Sequence, residues 1–186
     1  AIMLEAVAPL HKAKKLKRLI ASTYQAASGA GKPGLDELED QIQSYAKGEP
    51  LAVKAFQHQL MYNLIPHIDK FDETNWYTLE ELKMRNEARK MLHCPDLRLS
   101  CTCVRVPVVR SHSISVSLHF DRPVSVAAAR AAIAAAPGCR LVDELAEKQY
   151  PMPLDTSDQD IVYVGRIRED LTDERGLNLW CCGDQV

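Results

Sequence analysis

In the segment TCVRVPVVRSHSISVSLHF, residues 102–120, an arginine and a histidine stand where the alternation asks for hydrophobes. Leu97, Leu99, Cys101 and Cys103 share one face at the strand period of two, and Arg105 continues that face. In the following run Ile114, Val116, Leu118 and Phe120 share a face that His112 begins; Ser113, Ser115, Ser117 and His119 form the opposite, wet face. Arg105 and His112 are thus expected at strand ends, on the core side, flanking Pro107. A charge there is costly unless it is paired or holds an anion. Either residue alone fits a structural ion pair or a satisfied core histidine. The two together at one bend favour a site.

A second such cluster lies on the helix expected over 78–92. Thr78 and Glu81 make a capping box, which accounts for Glu81. Glu80 falls on the stripe of Met84, Ala88 and Met91, and Lys83 is its neighbour on the same surface. The bland alternative is a solvated helix edge with Lys83 paired to Glu87. GAGKPG, Gly29 to Gly34, matches G-x-G-x-x-G after a strand. Pro33 stiffens that turn, and no second strand ending in an acid follows about 20 residues on, so a complete dinucleotide unit is not expected there. A Gly-rich loop facing an anion or a carboxamide stays open. Taken together, Gln, Glu, Lys, Arg and His build a pocket suited to an anionic, phosphorylated small molecule. No nucleophile motif accompanies them.

The bulk numbers narrow the classes. With 186 residues, 23 basic against 25 acidic and a formal charge of −2, the chain gives no support for nucleic-acid binding. No apolar run approaches the ~18 residues of a membrane span. The opening AIMLEAVAPLHKAKK is apolar before basic, the reverse of a signal peptide. The six cysteines follow neither a disulfide framework nor zinc-ligand spacing, so reduced, buried thiols and no metal are expected, in a cytoplasm-like compartment.

The elements that position these residues follow from periodicity and punctuation. Residues 2–9 and 17–25 read as strands, 28–34 as a turn, and 35–48 as an amphipathic helix ending at Gly48. Residues 50–69 are apolar without clean periodicity. Strands follow at 97–106 and 111–120, then an Ala-rich helix stopped by Pro137-Gly138, then two last strands, DIVYVGRIRED and GLNLWCCG. Short connections between neighbouring strands suggest antiparallel pairing. The fold class is α+β, a mixed, largely antiparallel sheet with helices packed on one face.

With these positions in hand, the chain resembles aspartate-β-semialdehyde dehydrogenase. STYQAASGAG at 22–31, NLIPHID at 63–69, YTLEELKM at 77–84, RVPVVRSHS at 105–113, YPMP at 150–153, YVGRIR at 163–168 and GDQV at 183–186 look like that family's signatures, in its order. The resemblance implies a C-terminal catalytic and dimerisation domain over 1–186, like that of glyceraldehyde-3-phosphate dehydrogenase. It implies that the N-terminal NADP-binding Rossmann domain, and the cysteine nucleophile before the second domain, lie outside this chain. The family reduces aspartyl phosphate with NADPH to aspartate semialdehyde and phosphate, in the biosynthesis of lysine, methionine and threonine. Carried over, His112 resembles the proton acceptor and Arg105 the clamp for the substrate α-carboxylate. Glu80 matches the acid that meets the α-amino group, Lys83 the phosphate-binding lysine and Gln25 the orienting glutamine. Ser28, Gly29 and Gln185 resemble NADP contacts. A homodimer or tetramer and a cytoplasmic location are implied, and the isolated chain is expected to be inactive. The alternatives are a non-catalytic dimerisation module that keeps the pocket, and a related acyl-phosphate reductase whose blocked amine would leave Glu80 little to bind.

Overall fold

The computed structural model describes residues 1–184. It opens with a helix, α1 (Ile2–Ala13), where the sequence reads as a strand. Ile2, Met3, Ala6, Val7 and Leu10 are buried and Glu5 is exposed, a spacing of 3.6 rather than 2. The run is apolar enough that period alone separates the two states poorly. Strand β1 (Leu16–Gln25) follows, then a short 3-10 turn at Ala27–Ala30 and helix α2 (Gly31–Lys47). Gly48 closes α2 in the left-handed conformation, φ 70°, as its position after the last amphipathic residue suggests.

GAGKPG is thus split between a turn and the first turn of α2, where Pro33 is tolerated because that N–H has no helical partner. Gly34 is a packing glycine: a Cβ there would lie 2.7 Å from the Ala27 carbonyl oxygen and 2.9 Å from Phe56. Residues 49–77 hold no regular element; Leu60, Met61 and Ile65 fold back on Ala27 and Leu38 as a small separate core.

Helix α3 (Leu79–Met91) starts at the expected capping box: Thr78 accepts from the Glu81 amide, and the Glu81 carboxylate accepts from Thr78 N at 2.8 Å. Then come β2 (Arg98–Arg105), β3 (His112–Phe120), α4 (Val126–Ala134), β4 (Cys139–Leu141), α5 (Pro153–Thr156), β5 (Val162–Glu169) and β6 (Gly176–Gly183). The six strands form one sheet in the order β2-β1-β3-β6-β5-β4. Pairing is parallel at β1–β2 and β4–β5 and antiparallel elsewhere.

One connection departs from expectation. β2 and β3 run in opposite directions but are not neighbours; β1 stands between them. The link from Val106 to Ser111 crosses the end of β1, where Val106 N donates to the Gln25 carbonyl, and the Ala27 and Ser28 amides donate to Val108 and Val109. Those bonds satisfy the backbone at the end of β1, so the longer route leaves few groups unpaired. The C-terminal ends of β1 and β2 and the N-terminal end of β3 therefore meet.

The main core gathers on one face of the sheet. Leu19, Ala21, Cys101, Cys103, Ile114, Val116, Leu118, Phe120 and Leu179 pack under α1, α3 and α4. Each fully buried aliphatic side chain contributes roughly 1.5–3 kcal/mol. All six cysteines are free and buried. The opposite face is drier than its serines imply: Ser115 and Ser117 are half-buried, while Ser113 is buried with its hydroxyl 3.1 Å from the Cys182 sulfur.

Candidate active site

At the converging strand ends lies a cavity of about 430 Å³, lined among others by Gln25, Gly29, Glu80, Lys83, Arg105 and His112. Six of the eight residues singled out in the sequence are therefore in one place. Ser28 lines the neighbouring cavity, which Asp184 borders as well, so the Ser28–Gly29 step divides the two. Gln185 lies outside the described residues.

Arg105 is 6% exposed. Its Nη1 donates to the Ala26 carbonyl at 2.6 Å, and the guanidinium carbon sits 5.8 Å from the centre of the Phe56 ring. Among the described residues it makes no ion pair with a carboxylate. Burial lowers its pKa, against the pull of Glu80. A buried fork with spare donors and no bonded anion is unfavourable by itself and well shaped for a carboxylate.

Glu80 stands between two partners, taking a hydrogen bond from Gln25 Nε2 at 3.3 Å and an ion pair from Lys83 Nζ at 3.5 Å. Lys83 therefore pairs backward to Glu80 rather than forward to Glu87, and its ammonium stays largely exposed at the cavity rim.

His112 is held by its Nδ1, which accepts from the Ala26 amide at 3.0 Å. A neutral ring accepting at Nδ1 carries its proton on Nε2. Burial, and then the positive charge of Arg105, lower its pKa to about 4. The near-neutral base expected from residue type is thus a neutral ring that presents an N–H. Gly29 makes room for both groups: a Cβ there would lie 2.6 Å from Arg105 Nη1 and 3.1 Å from His112 Cε1.

Sequence reasoning misses Thr23, Ala26, Ile68 and Asp184. Thr23 lines the cavity, and among the described residues its Oγ1 is the buried side-chain polar atom without a hydrogen-bond partner, the type of group a ligand would satisfy. It follows the alternation of β1 like any core residue, so no local signal marks it. Ile68 is set by the NLIPHID segment, whose Ile65 exchanges backbone hydrogen bonds with Arg105 at 2.8 and 3.0 Å. None of the six cysteines lines the cavity. Burial pushes the thiols of Cys139 and Cys182 up to about 11 and raises Cys181 as well.

Comparison with known proteins shows which family the chain belongs to. The chain is 48% identical over 186 residues to an aspartate-semialdehyde dehydrogenase of Campylobacter jejuni, covering 99% of this chain and 54% of that protein. It is 43% identical to one from Synechocystis, covering 97% and 53%. The chain spans about half the length of the curated relatives it matches. A crystal structure of aspartate semialdehyde dehydrogenase II from Vibrio cholerae, complexed with ASA, superposes with a TM-score of 0.94 at 35% identity, over 98% of this chain and 54% of that one. The family profile described as semialdehyde dehydrogenase, dimerisation domain, matches residues 7–186. This chain belongs to that semialdehyde dehydrogenase family.

Proposed function

We propose that these residues form the substrate-binding half of an NADP-dependent aspartate-semialdehyde dehydrogenase, which converts aspartyl phosphate to the semialdehyde and phosphate. One observation carries the proposal: a buried Arg105, without a carboxylate partner among the described residues, opens on the cavity that also holds Glu80, Lys83, Gln25 and His112. A phosphorylated amino acid offers a carboxylate, an ammonium and a phosphate. Arg105 takes the carboxylate in a two-pronged bond, Glu80 the ammonium and Lys83, at the rim, the phosphate. Gln25, already bonded to Glu80, orients the reacting group. The Vibrio cholerae relative, solved with ASA, supports the same class of ligand.

His112 moves or holds the proton. With Nδ1 occupied by the Ala26 amide, its Nε2–H donates to an oxygen of the substrate. It accepts a thiol proton only when that amide releases Nδ1. The nucleophilic cysteine comes from outside these 186 residues, as does the Rossmann domain that holds most of NADP. Ser28 and Gly29, at the boundary of the two cavities, fit the nicotinamide end of the cofactor, which in its reduced form, NADPH, would supply the hydride and leave as NADP. The protein works in the cytoplasm as a homodimer.

Calorimetry on this chain tests the binding roles. Aspartate semialdehyde is expected to bind, Arg105→Ala to weaken it by about 10-fold or more, and Lys83→Ala to reduce phosphate binding while sparing the semialdehyde. Absence of any ligand heat in the folded chain would favour a dimerisation module that keeps the pocket without using it.

A further inference from the structure

A second cavity, of about 450 Å³, shares no lining residue with the first. Four arginines line it: Arg18 on β1, Arg98 on β2, and Arg85 and Arg89 on α3. Their placement sets like charges against each other twice. Arg18 and Arg98 are register partners on adjacent parallel strands, and Arg85 and Arg89 lie one helical turn apart. Both arrangements are unfavourable unless countered.

Little in the fold counters them. Arg18 reaches the Asp173 carboxylate only at 4.0 Å, and that carboxylate also takes His119. Arg89 Nε donates to the Leu97 carbonyl at 2.9 Å. The side chains of Arg85 and Arg98 have no hydrogen bond or ion pair among the described residues. The acid on the lining, Glu81, is buried, with its carboxylate committed to the Thr78 and Cys103 amides at 2.8 and 2.9 Å. Apolar and aromatic walls complete the cavity, including Ile20, Leu99 and Tyr77. Four arginines lining a partly apolar cavity of this volume suit a multiply charged phosphate ester or pyrophosphate.

We propose that this cavity is a second anion site, for a phosphorylated small molecule, distinct from the candidate active site. Helix α3 divides the two. Glu80, Lys83, Met84 and Glu87 face the first cavity, and Leu82, Arg85 and Arg89 the second. An occupant of the basic cavity therefore grips the helix that carries Glu80 and Lys83.

Inorganic pyrophosphate is the probe. In a Lys83→Ala, Arg105→Ala background, which silences the first cavity, pyrophosphate is expected to titrate one site and raise Tm. Adding Arg85→Ala and Arg98→Ala is expected to weaken that binding by about 10-fold or more. Without ligand at low salt, Arg98→Ala alone is expected to keep or raise Tm, because it relieves repulsion. Any of four results would overturn the proposal. Pyrophosphate could fail to bind in the first background, or bind equally after the second pair of changes. Arg98→Ala could lower the ligand-free Tm, making the arginine structural. Sedimentation could show Arg85→Ala with Arg98→Ala splitting a dimer, assigning the charge to a subunit contact.

Discussion

His112 enters the folded protein as a neutral ring. Unfolded, a histidine titrates near 6.5; here burial and Arg105 bring the value down to about 4. Between those values the unfolded chain binds the extra proton, so stability rises with pH. The contribution is complete above pH 6.5 and is lost as pH falls through the window down to 4. Urea unfolding across this window is expected to show a decline that His112→Asn flattens, by up to about 3 kcal/mol. A decline of the same slope in the variant would place the titration elsewhere. That His112 and Arg105 belong to the core face is legible from the period of two alone. The depressed pKa is not, because it depends on how deeply the ring is covered and on a guanidinium that only the tertiary fold brings near.

At the scale of elements, Glu81 does more than begin a helix. Its carboxylate completes the capping box through Thr78 N, and accepts from the amide of Cys103 on the edge strand β2 at 2.9 Å. Thr78→Ala is expected to cost about 1 kcal/mol, the ordinary value of a lost cap. Glu81→Ala is expected to cost more, about 2–3 kcal/mol, since it also orphans a buried N–H. Equilibrium denaturation of the two variants compares them directly, and equal losses would mean that the bond to β2 contributes nothing. The cap is legible because it lies within four residues. The Cys103 amide is 22 residues away, and nothing local announces it. The same division explains α1 and the sheet order. A short apolar run does not declare its period, and a strand inserted between two others depends on pairings far apart in sequence. The opposite holds for GAGKPG, whose glycines match a dinucleotide-loop spacing while Gly34 serves packing against Phe56.

For the whole molecule, the sheet face away from α1 and α4 invites a partner. Ser22, Tyr24, Ser115 and Ser117 are half-buried there, with Tyr24 against Trp180 at 5.4 Å. Small residues on a broad, partly apolar surface let a second copy approach closely. If the proposed homodimer uses this face, Ser115→Arg, in its middle, is expected to yield a monomer by sedimentation and to remove any dependence of Tm on protein concentration. A variant that sediments as the parent does would direct the search for the dimer contact to another surface.

The strap of residues 106–111 across the end of β1 also sets an order of events. Its bonds to Ala27 and Ser28 can close only once β1 is flanked by neighbours that lie eighty residues or more from it in sequence, as in the Arg18–Arg98 and Tyr24–Ser113 pairs. Pairings of such separation are slow to form. Arg105 and His112, at the two ends of the strap, reach their stations only when this closure is made. A molecule seated between them thus draws on the completed sheet alone, so tight occupancy slows unravelling from that end of the protein.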